Sequence, residues 1–325
     1  MKSSRQRARR LPSRLLSRLP SRLLCLIPAL ALAATAALIP TTAQAAPPTA
    51  AVTATTSTTA ITATTGTTAA ATAGGGWNDY SCTPSDRHPR PVVLVHGTFG
   101  NSVDNWLGLA PYLVARGWCV FSLDYGRLPG VPFFHGLGPI EESARELSTY
   151  VDRVLEATGA DEVDIVGHSQ GGMMPRYYLK FLGGAGKVNA LVGIAPSNHG
   201  TDLLGLTRLL DHFPGAEHLL GTHTPALRDQ VAGSDFLRRL NAGGDTVPGV
   251  EYTVIATRYD QVVTPWRTQF LDGPGVRNIL LQDVCAADLS EHLTIALVDR
   301  LTFHLTANAL DPANARRVNC LSYFS

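Results

Sequence analysis

Residues 1–45 contain no acidic side chain, and residues 46–76 contain no charged side chain at all. The first absence leaves eight basic residues uncompensated: Lys2, Arg5, Arg7, Arg9, Arg10, Arg14, Arg18 and Arg22. Of the 27 basic residues, 19 then stand against 26 acidic ones, so the remainder of the chain carries about −7. Without a basic surplus beyond residue 45 the chain lacks the footprint that displaces counterions from phosphates, which argues against a nucleic-acid binder. The second absence comes with a shortage of large side chains, since 22 of those 31 residues are Ala or Thr. Such a segment has little with which to offset chain entropy and reads as a linker or pro-segment. No internal repeat and no further low-complexity boundary interrupt residues 77–325, and 249 residues suit a single α/β domain.

The basic start runs into 17 mostly apolar residues, 23–39, and then into Ala43-Gln44-Ala45, the small-x-small form that a signal peptidase accepts. Residues 1–45 are therefore expected to be a signal peptide cleaved after Ala45. An uncleaved membrane anchor fits less well, because the run is short and a cleavage site follows it. Cys25 lies inside the apolar run, which argues against a lipoprotein anchor. Arg9-Arg10 is followed by Pro12, which leaves the export route open. The expected location is outside the cell, with no stable membrane anchor.

Four cysteines follow the leader: Cys82, Cys119, Cys285 and Cys320. In an exported chain an even number suggests two disulfides. Cys82 leads into the start of one expected strand and Cys119 opens its neighbour, so both belong at the amino-terminal edge of a sheet. Cys285 and Cys320 then pair by elimination.

Short apolar, β-branched runs recur at 91–95, 119–123, 162–166, 188–192, 252–256 and 278–281. Runs apolar on both faces fit buried parallel strands. Between the second and third, Ile140, Ala144, Leu147, Val151 and Val154 fall on one face of a helix, with Gly159 as its stop. Strands alternating with helices predict an α/β fold, a doubly wound, mostly parallel sheet with helices on both faces. In such sheets the chemistry belongs at the carboxyl ends of the strands.

Directly after the third run stands Gly167-His168-Ser169-Gln170-Gly171, followed by a helical pattern. G-x-S-x-G alone is a weak signal, but between a strand and a helix it describes a turn so tight that small residues must flank the serine. Serine needs a base to take its proton, and the base needs an acid to orient it; in this arrangement the acid and then the histidine follow the serine in the chain. His199, His212, His218, His223, His292 and His304 lie after Ser169. His292 follows the last strand and precedes the helical pattern Ile295, Val298, Leu301, which places it in a loop at the top of the sheet. His304 falls inside that helix. Asp260, just beyond the fifth run, is the expected acid, with Asp202 beyond the fourth as its rival. Asp283 and Asp288 read as capping or solvated carboxylates. Oxyanion donors are expected at the amides of Gln170 and of Thr98, in the Gly-rich turn after the first run, with the Thr98 hydroxyl as a third donor.

The stretches 91–100, 167–175, 195–200 and 258–265 resemble the secreted actinobacterial lipases of the class 2 lipase family, within the α/β-hydrolase superfamily, over essentially residues 77–325. The resemblance implies Ser169, Asp260 and His292 as nucleophile, acid and base, Thr98 and Gln170 as oxyanion hole, and acyl transfer without an organic cofactor. The pairing of Gly97-Thr98 with Ser169-Gln170-Gly171 is also similar to the yeast lipase B type. No calcium-ligand cluster matches the Gram-negative lipases, and no metal site is expected. The expected substrate is a lipid or other ester, met by a monomer in transient contact with a lipid interface. A short-chain esterase or polyester hydrolase is the alternative enzyme, and a non-catalytic binding protein on a hydrolase fold is the alternative of another class. Leu203, Leu204, Leu206, Leu209, Leu210, Phe213, Leu219 and Leu220 fit either a packed core or a lid, and Phe133 and Phe134 fit either a site mouth or a loop filling.

Overall fold

The apolar runs pair into one all-parallel sheet. Its strands are β1 (Val92–Val95), β2 (Val120–Leu123), β3 (Val163–His168), β4 (Val188–Ile194), β5 (Glu251–Ala256) and β6 (Val276–Leu280). Their order across the sheet is β2-β1-β3-β4-β5-β6, with every neighbouring pair parallel. The helices are α1 (Leu109–Val114), α2 (Ile140–Thr158), α3 (Gln170–Phe181), α4 (Leu203–Asp211), α5 (Pro225–Asp229), α6 (Asp235–Asn241), α7 (Leu281–Val284), α8 (Thr294–Leu297) and α9 (Arg300–Leu310). This computed structural model describes residues 76–213, 215–216 and 224–323. The expected signal peptide, the Ala/Thr-rich segment up to residue 75, and His218, Leu219, Leu220 and His223 lie outside the described residues. Among the described residues no helix is long and apolar enough to cross a membrane.

Strands β1, β2 and β3 are buried at every position, as parallel strands covered on both faces must be. Their alternation sorts side chains into two clusters. Val93 and Val95 pack with Ile140, Leu147 and Val151 of α2 and Met173 and Met174 of α3. Val92 and Leu94 pack instead with Leu109 and Leu113 of α1 and Leu301 and Leu305 of α9. The predicted helical face, Ile140, Ala144, Leu147, Val151 and Val154, is wholly inaccessible to solvent. That helix ends at Gly159, whose φ of 67° is a left-handed cap that glycine adopts without a Cβ penalty.

The C-terminal pattern behaves differently from its sequence expectation. Ile295, Val298 and Leu301 suggest one continuous helix, but the chain breaks between α8 and α9 and leaves Val298 exposed. The cause is Asp299, whose carboxylate accepts the amides of Leu301 and Thr302 at 3.0 and 3.1 Å and so caps a fresh helix start.

Disulfides join Cys82 to Cys119 and Cys285 to Cys320, spanning 37 and 35 residues. Closing loops of that size stabilises by about 3–4 kcal/mol each in the chain-entropy account. The first fastens the entry of β2 to the segment before β1, and the second holds the C-terminal tail near α7.

The chain leaves β1 for β2 on one side and then crosses back to β3 on the other, so connections part above β1 and β3. Such a reversal opens a crevice at the carboxyl ends of the strands. A third apolar cluster closes over it, formed by Phe99, Leu137, Leu206, Leu209, Leu210, Val262 and Val263, with Phe134 and Phe213 packed against it. Leu206, Leu209 and Leu210 of the leucine-rich connection are therefore packed residues, whereas Leu204 is exposed. Phe134 meets Phe99 and Phe213 edge-on, while Phe133 is 78% exposed.

Candidate active site

Ser169 occupies the turn between β3 and α3 with φ 54° and ψ −123°. A non-glycine residue in such a conformation costs on the order of 1–3 kcal/mol and persists only where its surroundings dictate it. The flanking glycines do so. A Cβ on Gly167 would run into the carbonyl of Gly171, and a Cβ on Gly171 into the carbonyls of Val95 and His96. Only bare backbone lets α3 start this close to β1 and β3.

Ser169, His292 and Asp260 converge from three separate loops. His292 Nε2 lies 3.0 Å from Ser169 Oγ, and His292 Nδ1 lies 2.8 Å from Asp260 Oδ2. All three are buried. The Asp260 carboxylate is fixed further, since Oδ1 accepts the amides of Val262 and Val263, each at 2.8 Å, and Oδ2 accepts Gln269 Nε2 at 2.9 Å. A carboxylate held this way keeps the Nδ1–H tautomer of His292 and leaves Nε2 free to accept the serine proton. Asp202 is elsewhere engaged: it is the N-cap of α4, accepting the Gly205 amide at 2.7 Å. Asp283 pairs with Arg258 and Asp288 accepts the Ser290 amide. His304 sits in α9 against Tyr323 and the Arg316 carbonyl.

Thr98 and Gln170 face each other across the crevice. The Gln170 amide is the first N–H of α3 and has no acceptor within the helix. The Thr98 hydroxyl donates to Gln170 Oε1 at 2.7 Å and accepts Gln230 Nε2 at 2.9 Å. Gln230 also donates to Gln170 Oε1 at 3.1 Å, so this side-chain triangle locks the Thr98 loop to the start of α3. The turn itself is held by Asn105, whose Oδ1 accepts the Gly97 amide at 3.0 Å.

Several contributors escaped the linear reading. His168 Nε2 lies 2.9 Å from the His292 carbonyl and Nδ1 lies 3.1 Å from Asn105 Oδ1. Burial, and secondly the nearby His292, push the His168 imidazole down to about 3. The ring is thus neutral and has one N–H for two facing acceptors. Gln282 donates to Thr257 Oγ1 at 3.0 Å, and Thr257 Oγ1 donates to the Ser290 carbonyl at 2.7 Å, bracing the loop before His292. Only His168 carries a sequence signal, as the x of G-x-S-x-G. A lone Gln or Asn in a connection carries none.

A cavity of about 200 Å³ opens onto Ser169, His292, His168 and Thr98 and is roofed by Leu209, His212, Phe213, Leu293 and Leu297. The walls are apolar except at the converging polar side chains, which is the lining of a small-ligand site.

A six-stranded parallel sheet with this strand order and a serine at the elbow after β3 defines an α/β-hydrolase. The chain belongs to the class 2 lipase family, whose model, described as lipase (class 2), matches residues 89–295. It is 38% identical over 92 residues to a triacylglycerol lipase of Pseudarthrobacter phenanthrenivorans, a match covering 27% of each chain. The chain spans about a quarter of the length of the curated relatives it matches. Among solved structures it is similar in fold to lipase B of Aspergillus fumigatus, with a TM-score of 0.58 and 20% identity over 74% of this chain and 59% of that one. It is also similar in fold to the mature lipase BlEst2 of Bacillus licheniformis, with a TM-score of 0.52 and 16% identity over 70% of this chain and 94% of that one.

Proposed function

We propose that the protein is a secreted serine ester hydrolase, a triacylglycerol lipase working through Ser169, His292 and Asp260. The carrying observation is the unbroken hydrogen-bond chain from Ser169 Oγ through His292 to Asp260. His292 Nε2 takes the Ser169 proton as Oγ bonds to the ester carbonyl carbon. The resulting oxyanion is held by the amides of Thr98 and Gln170. As the tetrahedral intermediate collapses, the C–O bond to the alcohol breaks and His292 gives that alcohol its proton. Water, deprotonated in turn by His292, attacks the acyl-enzyme and releases the free acid and Ser169. Residues 77–325 form the catalytic domain, 1–45 the export signal and 46–76 a linker or pro-segment. Two disulfides support life in an oxidising compartment. The family membership and the triacylglycerol lipase relative support glycerides as substrates. The negative balance of the exported part favours neutral glycerides over anionic phospholipids.

One observation favours short acyl esters instead. A cavity of about 200 Å³ is smaller than the roughly 300–1,000 Å³ of ordinary ligand pockets, so as it stands it encloses a short acyl chain and not a long one. Two measurements test the reading together. A fluorophosphonate should label the chain at Ser169, and Ser169→Ala should lose ester hydrolysis by about 10⁴-fold or more while folding normally. Retention of a tenth of the activity in Ser169→Ala would remove the assignment. Hydrolysis confined to acetate and butyrate esters, with none of emulsified triglyceride, would select the short-chain reading.

A further inference from the structure

Beside the Thr98 loop, three side chains arrive from separate segments: His96 at the end of β1, Asp124 directly after β2, and His135 in the connection to α2. Their ligand atoms all lie within 4.8 Å of one another. His96 is fully buried and His135 is 5% exposed. His96 Nδ1 lies 2.8 Å from the Gly97 carbonyl and donates to it, which leaves a bare lone pair at Nε2. That Nε2 is buried and has no hydrogen-bond partner. His135 Nδ1 is also buried and makes no aligned hydrogen bond, lying 3.2 Å from Asp124 Oδ1 as its ion-pair partner. Asp124 Oδ2 is taken by exposed Arg127 at 3.1 Å, while Oδ1 accepts the Ser102 amide at 2.7 Å and faces His135 Nδ1 at 3.2 Å. Buried polar atoms are normally satisfied, so an orphaned His96 Nε2 beside a second imidazole and a carboxylate points to a missing partner.

We propose that His96 Nε2, His135 Nδ1 and Asp124 Oδ1 bind one divalent first-row transition cation, zinc above all, alongside the oxyanion loop. Two imidazoles and a carboxylate suit zinc, whereas calcium and magnesium take oxygen donors. The 3.2 Å between His135 Nδ1 and Asp124 Oδ1 is close to the edge of a tetrahedron of about 3.3 Å that bonds of 2.0–2.1 Å generate. The Nδ1–H bond to the Gly97 carbonyl is the outer contact that fixes tautomer and ring orientation in histidine–metal sites. Water completes the coordination.

The ion is a fastener. The His135 carbonyl accepts the Phe99 amide at 2.9 Å, the His135 amide donates to the Gly100 carbonyl at 3.2 Å, and the Tyr125 hydroxyl donates to the His96 carbonyl at 2.5 Å. Tying His96, Asp124 and His135 to one centre therefore pins both ends of the turn that carries Thr98. The linear sequence does not announce the site, because its ligands come from three segments.

The test uses the secreted chain, stripped with a chelator and titrated with Zn²⁺ by calorimetry alongside thermal unfolding. One ion per chain is expected, with Tm raised by on the order of 5 °C when zinc exceeds its Kd a hundredfold. Asp124→Asn and His135→Gln should each weaken zinc binding by about 100-fold or more. Because a buried-histidine variant can fail to fold, Co²⁺ uptake by the unmutated chain is read as well. Tetrahedral cobalt gives intense visible bands that zinc abolishes. No zinc uptake by the unmutated chain at 100-micromolar levels (on the order of 10⁻⁴ M), undiminished uptake by a folded Asp124→Asn, or a weak octahedral cobalt spectrum would each overturn the site.

Discussion

His168 Nε2 lies 2.9 Å from the backbone carbonyl of His292. The residue immediately before Ser169 thus holds the loop that brings the His292 imidazole to Ser169, and one strand end positions both partners of the proposed proton transfer. His168 is neutral and borders the cavity, but both its ring nitrogens face protein acceptors, so it is expected to act by position. Replacing it with Ala should let the His292 loop drift, and misplacement by about 1 Å can cost 10²-fold. His168→Ala is therefore expected to lower kcat by about 10- to 100-fold with KM changed less than about twofold. His168→Gln, which can still offer an N–H to the His292 carbonyl, should recover most of the rate. A rise in KM with kcat unchanged would show that His168 contacts substrate instead.

The choice between Asp260 and Asp202 is testable in the same assay. Asp260 is wholly enclosed with its carboxylate on His292 Nδ1, whereas Asp202 caps α4. Asp260→Asn should stabilise the wrong imidazole tautomer and lower kcat by up to about 10⁴-fold. Asp202→Asn keeps an acceptor at the N-cap and should cost a few tenths of a kcal/mol in stability and little rate. The reverse ranking would move the acid to the loop after β4.

Much of this arrangement is legible in the sequence, for physical reasons that differ by element. A strand buried on both faces shows as an unbroken apolar run, which is why Val92–Val95 and Val120–Leu123 stand out. An amphipathic helix with a left-handed glycine stop announces itself, as α2 does. The elbow is legible because close approach of α3 to β1 leaves no room for any residue but glycine at 167 and 171. Asn105, Gln230, Gln269 and Gln282 are not legible, since a single amide takes its meaning from what tertiary contact brings against it. The break between α8 and α9 was readable in principle: Asp299 before Leu301 is a cap signal that the apolar spacing of Ile295, Val298 and Leu301 masks.

Asp164, on β3, gives a pH prediction independent of catalysis. Burial raises its carboxyl from 3.8 to about 6, against the lowering influence of its hydrogen bond from Asn189. The folded state therefore binds a proton more tightly than the unfolded chain does, and its contribution to stability is full below about pH 4 and lost as pH rises through 6. The penalty above that window is about 3 kcal/mol at most. Asp164→Asn keeps an oxygen acceptor for Asn189 and cannot ionise. The Tm of this variant relative to the unmutated protein should climb between pH 4 and pH 7, read by thermal unfolding at each pH. A constant difference across that range would mean that Asp164 titrates normally.

Acyl preference should respond to the roof of the cavity. Leu209 is buried in α4, packs with Phe99, Leu206 and Val262, and lines the space above Ser169 together with Phe213. Leu209→Ala removes part of that roof and should cost stability of the order of 2–5 kcal/mol, less if α4 settles into the gap. The space it opens would accept further methylenes of an acyl chain, each worth about 0.8 kcal/mol when buried, or roughly fourfold in kcat/KM. Across p-nitrophenyl esters from acetate to laurate, the maximum of kcat/KM should therefore move to longer chains by about two carbons, with acetate hydrolysis little improved. The comparison is internal to one variant, so loss of folded protein lowers all rates together and leaves the position of the maximum unchanged. A profile superimposable on that of the unmutated enzyme would place the acyl chain along another wall, with the Leu293 and Leu297 side of the cavity the next to be opened.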